Sequence, residues 1–472
     1  MPQAYDIVIV GGGIAGLACA LSAPPGSRVV VVDKGEAGAG SSPLAQGGIA
    51  AAVGPGDTVE LHAEDTIAAG AGLCDERVAR DVCGQGPEVV AWLTGLGCNF
   101  DHAADGPLHL AREGGQSVAR SVHATDATGG EIVRVLRGAA RGRAERLAVS
   151  AAALLLDDDG AVVGVMTTQG PVQGRLTLLA TGGAGALWAA TTNAPGATGD
   201  GTALALAAGA TLADLEFMQF HPTALDDGKP GRALLTEALR GDGATLVDEK
   251  GERFVDELAP RHVVAKAIVE RGRAWLDCRS IERLEERFPT VVASARARGF
   301  DPLTHTLPVS PAAHYFIGGV AVDASAKTSI PGLYAAGECA ATGMHGANRM
   351  AGNSLLETVV LGRRAAAALE ETPQPRAGEP AGPALSSPDP SVPRLMWDGA
   401  GPFRDELRIR GLIDALERLP PSLHRDLCVL IARSALERRE SRGVHQRTDY
   451  RVTDPGFARR SMSNDLPAPP RR

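Results

Sequence analysis

The sequence predicts an α/β chain: a nucleotide-type domain, an insertion that interrupts it, and a helical domain at the end. Three observations carry that expectation. Residues 5–33 read as strand, glycine turn, helix and strand. Strand-and-glycine sequence of the same style returns at 318–338 after a stretch of different character. From 404 onward, apolar residues recur at helical spacing. At 472 residues the chain is long enough for more than one domain.

Asp6 to Val10 is a β-branched run suited to a buried parallel strand. Gly11, Gly13 and Gly16 then fit GxGxxG. The first allows the tight turn, the second lets the backbone approach a pyrophosphate, and the third permits close helix packing. The phosphates would sit at the N-terminus of the following helix, where free N–H groups and the macrodipole favour negative charge. Pro24-Pro25-Gly26 breaks that helix, Val29 to Val32 form the second strand, and Asp33 ends it. The spacing 33 − 11 = 22 suits an acid on a ribose hydroxyl. Strand, helix and acid together make this a Rossmann-like dinucleotide unit rather than a ligand-free glycine turn.

Hydrophobic content of 44% with 22% charged residues is that of an ordinary globular protein. A net charge of −9 argues against nucleic acid or an anionic membrane as the main partner. An anionic substrate must therefore meet a local basic pocket. The seven cysteines show no CxxC pair and no metal spacing, which predicts no metal and suits a reducing cytoplasm. Ile7 to Ala23 is uncharged, but Asp6 precedes it and glycine interrupts it, so no targeting or membrane segment is expected.

Gly38 to Ile49 is too rich in small residues to pack a core and reads as a loop running along a ligand. Asp57 is expected to cap a helix through about Ala69, and Asp75 another beginning near Glu76. Arg112-Glu113-Gly114-Gly115, taken alone, reads as a solvated turn. Ala161 to Met166 and Leu176 to Ala180 resume strand-like sequence, and Asp200 in Gly199-Asp200-Gly201 either faces a cofactor or caps a helix. From Leu215 to Arg261 polar residues such as Glu216, His221, Thr236, Glu237, Arg240 and Arg253 recur among apolar ones, as in a second domain lining a cleft. Pro, Ala, Gly and Ser dominate from Glu371 to Pro393, which predicts a linker without packed elements. Arg404 to Leu419 and Leu423 to Arg439 read as helices, with Leu407, Ile409, Leu412, Ile413, Leu416 and Leu419 on the apolar face. From Thr453 a frayed tail is expected.

Taken together the motifs resemble the flavoprotein subunits of succinate dehydrogenase and fumarate reductase, and within them the L-aspartate oxidase branch. The carriers include AQGGIAA (45–51), REGGQS (112–117), HATDATG (123–129), EFMQFHPT (216–223), LLTEALRGDGA (234–244), ELAPRHVV (257–264), PAAHY (311–315), GLYAAGE (332–338), GANRMAGNSLLE (346–357) and ESRGVH (440–445). Succinate dehydrogenases attach flavin through a histidine four residues before the Ala45-Gln46 pair. Here that residue is Ser41, and no histidine occurs from Lys34 to Leu61, so FAD is expected to be non-covalent. Fumarate reductases carry an aromatic residue in the motif at 112–115, where this chain has Glu113. Two departures stand out: Gly352 where relatives often have serine, and a short C-terminal helical domain.

The resemblance implies an FAD-binding domain over 1–214 and 316–370, an α+β capping domain over 215–315, a linker over 371–394 and a C-terminal helical domain over 395–472. It implies Arg261 and Glu113 as catalytic groups, with His221, Thr236, Arg240, His314 and Arg349 binding substrate. The FAD site would use Gly11, Gly12, Gly13, Ile14, Ala15 and Gly16, then Asp33 and Lys34. Ser41, Ser42, Ala45, Gln46, Gly47 and Gly48 would follow, with Asp200, Glu338, Ser354 and Leu355.

The implied reaction is oxidation of L-aspartate to iminoaspartate, with O2 or fumarate as acceptor, the product passing to quinolinate synthase for NAD biosynthesis. Residue types agree: arginine forks suit carboxylates, and an acid suits the ammonium. Arg261 either takes a β proton or only stabilises charge. The alternatives are a fumarate reductase flavoprotein outside the membrane, which would need little from Glu113, and a flavin-binding scaffold without catalysis.

Overall fold

The computed structural model describes residues 4–35, 40–104, 106–229, 231–372 and 377–466. Gly38 and Ala39 of the small-residue loop and the last six residues lie outside them.

The N-terminal unit forms as its residues dictate. Strand β1 (Tyr5–Val10) is buried over its last four residues, and β2 (Val29–Val32) throughout. They pair in parallel with Ile7 opposite Val29 and Val10 opposite Val32, joined by helix α1 (Ile14–Ser22). On its other side β1 lies parallel to the strand Gly170–Leu179. That strand also pairs in parallel with Leu333–Ala335, which brings the chain after the insertion back into the same sheet. The full eight-stranded sheet continues through the hairpin Ala151–Leu156 and Val162–Thr167 on one side and ends at Glu145–Leu147 on the other. Helix Asn353–Ala367 packs beside α1 and closes the face that carries the glycine turn.

The insertion builds its own layer. Met218–Leu225, Leu307–Phe316, Ala274–Asp277 and Thr245–Val247 form an antiparallel sheet in that order. Helices Arg261–Arg271 and Pro289–Ala297 cover it, with Leu239, Leu246, Val264, Ile268 and Val291 in a separate core. Thr290 N (3.1 Å) and Val291 N (2.8 Å) donate to the Asp126 carboxylate, which pins the second helix to the first domain. Its last strand runs one residue past the expected boundary at 315.

Several expectations need correction. Within the expected linker, Glu379–Pro380 pairs with Leu155–Leu156, Leu385 N donates to Ala152 O (2.7 Å), and a helix, Val392–Ala400, begins. The edge of the hairpin offered unpaired backbone groups, and this segment satisfies them. Helix Val59–Ala69 is capped by Thr58, whose hydroxyl accepts from Leu61 N, while Asp57 pairs with buried Arg120 at 3.1 Å. Leu407 is 83% exposed, although Ile409, Leu412 and Leu416 of the same helix are buried. Residues from Thr453 to Leu466 are not frayed. Arg438 donates to Phe457 O (2.8 Å) and Arg459 O (2.9 Å), and Arg460 pairs with Asp214 (2.6 Å). A buried guanidinium needs all its N–H groups satisfied, and the returning backbone supplies the carbonyls.

Candidate active site

A cavity of about 990 Å³ runs between the two layers from the end of β2 to the substrate motifs. Gly11 to Ala15, Asp33, Lys34, Ser41, Ser42, Ala45, Asp200, Glu338, Ser354 and Leu355 line it, together with His314 and Arg349. Gly11 has φ +112°, and a side chain there would come within 2.2 Å of Ala180 O. Gly16 does not face the cavity. A Cβ on it would meet Gly11 O at 2.2 Å, so this glycine seats the helix against its own turn. Gly13 caps α1 with no side-chain partner; Ile14 N donates to Ser42 Oγ at 3.4 Å, and the N–H groups that follow in the first turn face an anion site.

The shape fits an extended dinucleotide. At one end Asp33 pairs with Arg146 (3.2 Å), and Lys34 pairs with Asp200 (2.6 Å). Burial opposes ionisation of Asp200, yet His424, Lys34 and Thr198 hold its carboxyl well below the usual range. Ser41 Oγ accepts from Ala194 N at 3.2 Å. Gln46, Gly47 and Gly48 stand away from the cavity. Gln46 donates to Leu234 O (3.2 Å), and Gly48 N donates to Glu113 (3.2 Å). Glu338 accepts from Phe316 N at 2.8 Å, and burial pushes its carboxyl up to about 7. The residues present therefore suit a flavin dinucleotide, with buried polar groups still to be satisfied.

The charged cluster lies at the other end. Arg349 stacks over the Tyr315 ring at 4.7 Å and reaches Ser354 Oγ at 2.5 Å, while its Nε and Nη1 have no protein partner. Burial first, then Arg261, lowers its guanidinium to about 10. Arg261 starts a cap helix and donates to Glu237 (2.6 Å) and Gln219 (2.9 Å). Arg240 lies 3.8 Å from the same Glu237 and donates to Glu257 O. Burial opposes the charge on Glu237, but Arg261 and Arg240 outweigh it and hold the carboxyl at about 2.

His221 and His314 face each other with ring centres 5.0 Å apart. Burial, reinforced by Arg261, drives both well below the ordinary imidazole value and keeps them neutral. Thr192 Oγ1 lies 2.8 Å from His314 Nδ1, which orients that ring. Thr236 is buried at the start of helix Glu237–Gly241, and its side chain does not cap it.

Glu113 is buried rather than solvated, because Gln116 ties its loop down: Glu113 N donates to Gln116 Oε1 (3.0 Å) and Gln116 to Ser121 (3.0 Å). Burial, then repulsion from Glu237, raises its carboxyl, with Arg261 and Arg349 opposing. Of the seven residues expected to handle substrate, His314 and Arg349 line the cavity, Glu113, His221, Arg240 and Arg261 share their charged cluster, and Thr236 is tied to it only as the neighbour of Glu237. Sequence reading left Glu237, Gln219, Tyr315 and His424 out of the site. Glu237 and Gln219 lay inside quoted motifs, and a charge among apolar residues was the available signal. Among the described residues no group of His, Cys, Asp and Glu could hold a metal ion. No described helix is long and apolar enough to cross a membrane.

Residues 6–355 match the FAD binding domain family, and 422–467 match the fumarate reductase flavoprotein C-terminal family. An L-aspartate oxidase from Streptomyces coelicolor is 42% identical over 97% of this chain and 91% of its own length. One from Mesorhizobium japonicum is 43% identical over 94% of this chain and 91% of its own. Among solved structures, a variant of FrdA from E. coli quinol fumarate reductase superposes with a TM-score of 0.88 at 28% identity, covering 98% and 94% of the two chains. Mycobacterium smegmatis Sdh1 in complex with UQ1 gives 0.80 at 31%, covering 97% and 90%. With an FAD domain split around a cap and full-length likeness to these oxidases, the chain belongs to the L-aspartate oxidase branch of the succinate dehydrogenase and fumarate reductase flavoproteins.

Proposed function

We propose that this chain oxidises L-aspartate to iminoaspartate in an FAD-dependent reaction, with O2 or fumarate as the electron acceptor. One observation carries the reading. A buried carboxylate with no cation of its own, Glu113, and a buried guanidinium with two unpartnered nitrogens, Arg349, share one charged cluster. Aspartate brings the complementary charges. Its carboxylates would meet Arg349, Arg261, His314, His221 and Thr236, and its ammonium would meet Glu113.

Bound FAD supplies the two-electron acceptor. The chain holds the substrate in place and excludes water. Arg240 and Glu237 lock the guanidinium of Arg261 in position. A charged guanidinium has no lone pair with which to take a proton, so in the oxidation direction Arg261 stabilises carboxylate charge, and proton loss falls to the substrate amine. With fumarate, the same guanidinium holds a proton that it can give. Ser41 in the cavity wall cannot form a histidyl link, so FAD is held without a covalent bond. The seven free cysteines suit a reducing cytoplasm, and the unstable imine suits direct use by quinolinate synthase in NAD biosynthesis.

Anaerobic addition of L-aspartate should bleach the flavin, whereas succinate should not. Bleaching by succinate alone would favour the fumarate reductase reading. Acid precipitation should release FAD into the supernatant, and flavin retained on the denatured chain would overturn the non-covalent assignment.

A further inference from the structure

Four residues between the domains, Leu385 to Pro388, and one on the C-terminal helix Leu423–Glu437, His424, line the dinucleotide cavity beside Asp33 and Lys34. All five lie beyond the stretch matched by the FAD binding domain family, which ends at 355. We propose that the C-terminal part of this chain completes the adenosine half of the FAD site. In this arrangement His424 accepts a hydrogen bond from adenosine, and Leu385–Pro388 forms its outer wall.

The chemistry of His424 defines the group it takes. The residue is 1% exposed, and its Nε2 lies 3.0 Å from Asp200 Oδ1. A carboxylate only accepts, so Nε2 carries a proton, and with no second proton on the ring Nδ1 is an acceptor. That Nδ1 is buried with no protein partner, a costly state unless a donor arrives. Adenosine offers such donors as ribose hydroxyls and an exocyclic amine, whereas a phosphate oxygen would meet the lone pair unfavourably.

Position agrees. Asp200 also holds Lys34, which follows the ribose-type acid Asp33 at the end of β2. The wall segment is fixed from the same side: Leu385 N donates to Ala152 O (2.7 Å), next to Ala151 and Ser150, which also line the cavity. At its far end Asp389 accepts from Ser391 N (2.9 Å), anchoring the segment before the next helix. A mere edge-covering role would explain the backbone bonds but not a buried, unpaired imidazole nitrogen on a residue that lines the cavity.

The proposal rests on FAD being the cofactor, and its test separates the two. Apoprotein is titrated with FAD by flavin fluorescence and with ADP by calorimetry, for wild type, His424→Phe and the double variant Leu385→Gly/Pro388→Gly. His424→Phe keeps a planar aromatic ring, slightly larger, without its nitrogens, and apoprotein melting points check the fold. Each variant should weaken FAD about tenfold, with ADP weakened by the same factor. Hydrogen exchange over residues 377–391 should slow when either ligand binds to wild type. Unchanged FAD affinity in both variants, or weaker FAD with unaltered ADP, would overturn the proposal. Wild-type protein that bound neither ligand would overturn the cofactor assignment along with it.

Discussion

An ammonium group brought beside Glu113 would meet a buried carboxylate whose hydrogen-bond donor is Gly48 N. Removing one side of a desolvated charge pair costs about 3 to 5 kcal/mol. Glu113→Gln should therefore lower kcat/KM for L-aspartate by roughly 100-fold or more, at about 1.4 kcal/mol per tenfold. Fumarate has no ammonium, so its reduction should survive or improve. Equal loss for both substrates, with FAD content matched, would instead assign Glu113 to loop positioning. Glu338 makes a different prediction. Burial raises its carboxyl from 4.5 to about 7, so the folded chain binds this proton more tightly than the unfolded chain. The stability it contributes is fully present below about pH 4.5 and is lost as pH rises through about 7. Glu338→Gln should flatten the pH dependence of the apoprotein melting point between these values, and an unchanged slope would discount the group. These residue types were legible in the sequence, but their state was not. A carboxylate held at about 2, as in Glu237, and one held near 7 read identically until burial and neighbours are known.

The helix Asn353–Ala367 shows how one residue sets an element. Gly352 precedes it with φ +82°, and its carbonyl accepts from Ala50 N at 3.2 Å. A Cβ there would sit 2.8 Å from Ala50 Cβ and 2.9 Å from Ala50 N. A serine here would therefore force a shift in this chain rather than add a hydrogen bond. Gly352→Ser should cost about 1 to 3 kcal/mol in equilibrium unfolding, and a stability equal to wild type would show that the backbone adapts freely. Elements with strong local signals, β1, α1 and β2, agree with their sequence pattern. The strand Glu379–Pro380 has only two residues, too few for any period. Helix Val392–Ala400 begins inside the expected linker, with Pro393, and carries Gly399 near its end. Pro393 sits in the first turn, where its missing N–H costs nothing, and Gly399 lies against Leu412.

At the scale of the whole molecule, the C-terminal helices have no core of their own. Ile409, Leu412, Leu416, Leu427 and Ile431 join the cluster that contains β1, β2 and Trp188. Trp188 Nε1 donates to Ala400 O at 2.9 Å, and Trp397 meets Phe220 with ring centres 5.9 Å apart. A chain truncated before Val392 should therefore aggregate or lose FAD instead of leaving a working core domain. A soluble, yellow truncation would contradict this, with absorbance after gel filtration as the readout. By itself the sequence determined the dinucleotide unit, the interruption by a cap and the types of residue that meet a dicarboxylate. Each of these follows from local pattern and spacing, which the chain carries wherever it folds. Only the tertiary structure decided that Glu237 locks Arg261, that the supposed linker and tail are packed, and that His424 reaches the cofactor cavity. Those facts depend on burial and on partners far apart in the chain, such as Asp200 and His424 or Arg438 and Glu216, and no local pattern encodes such distances.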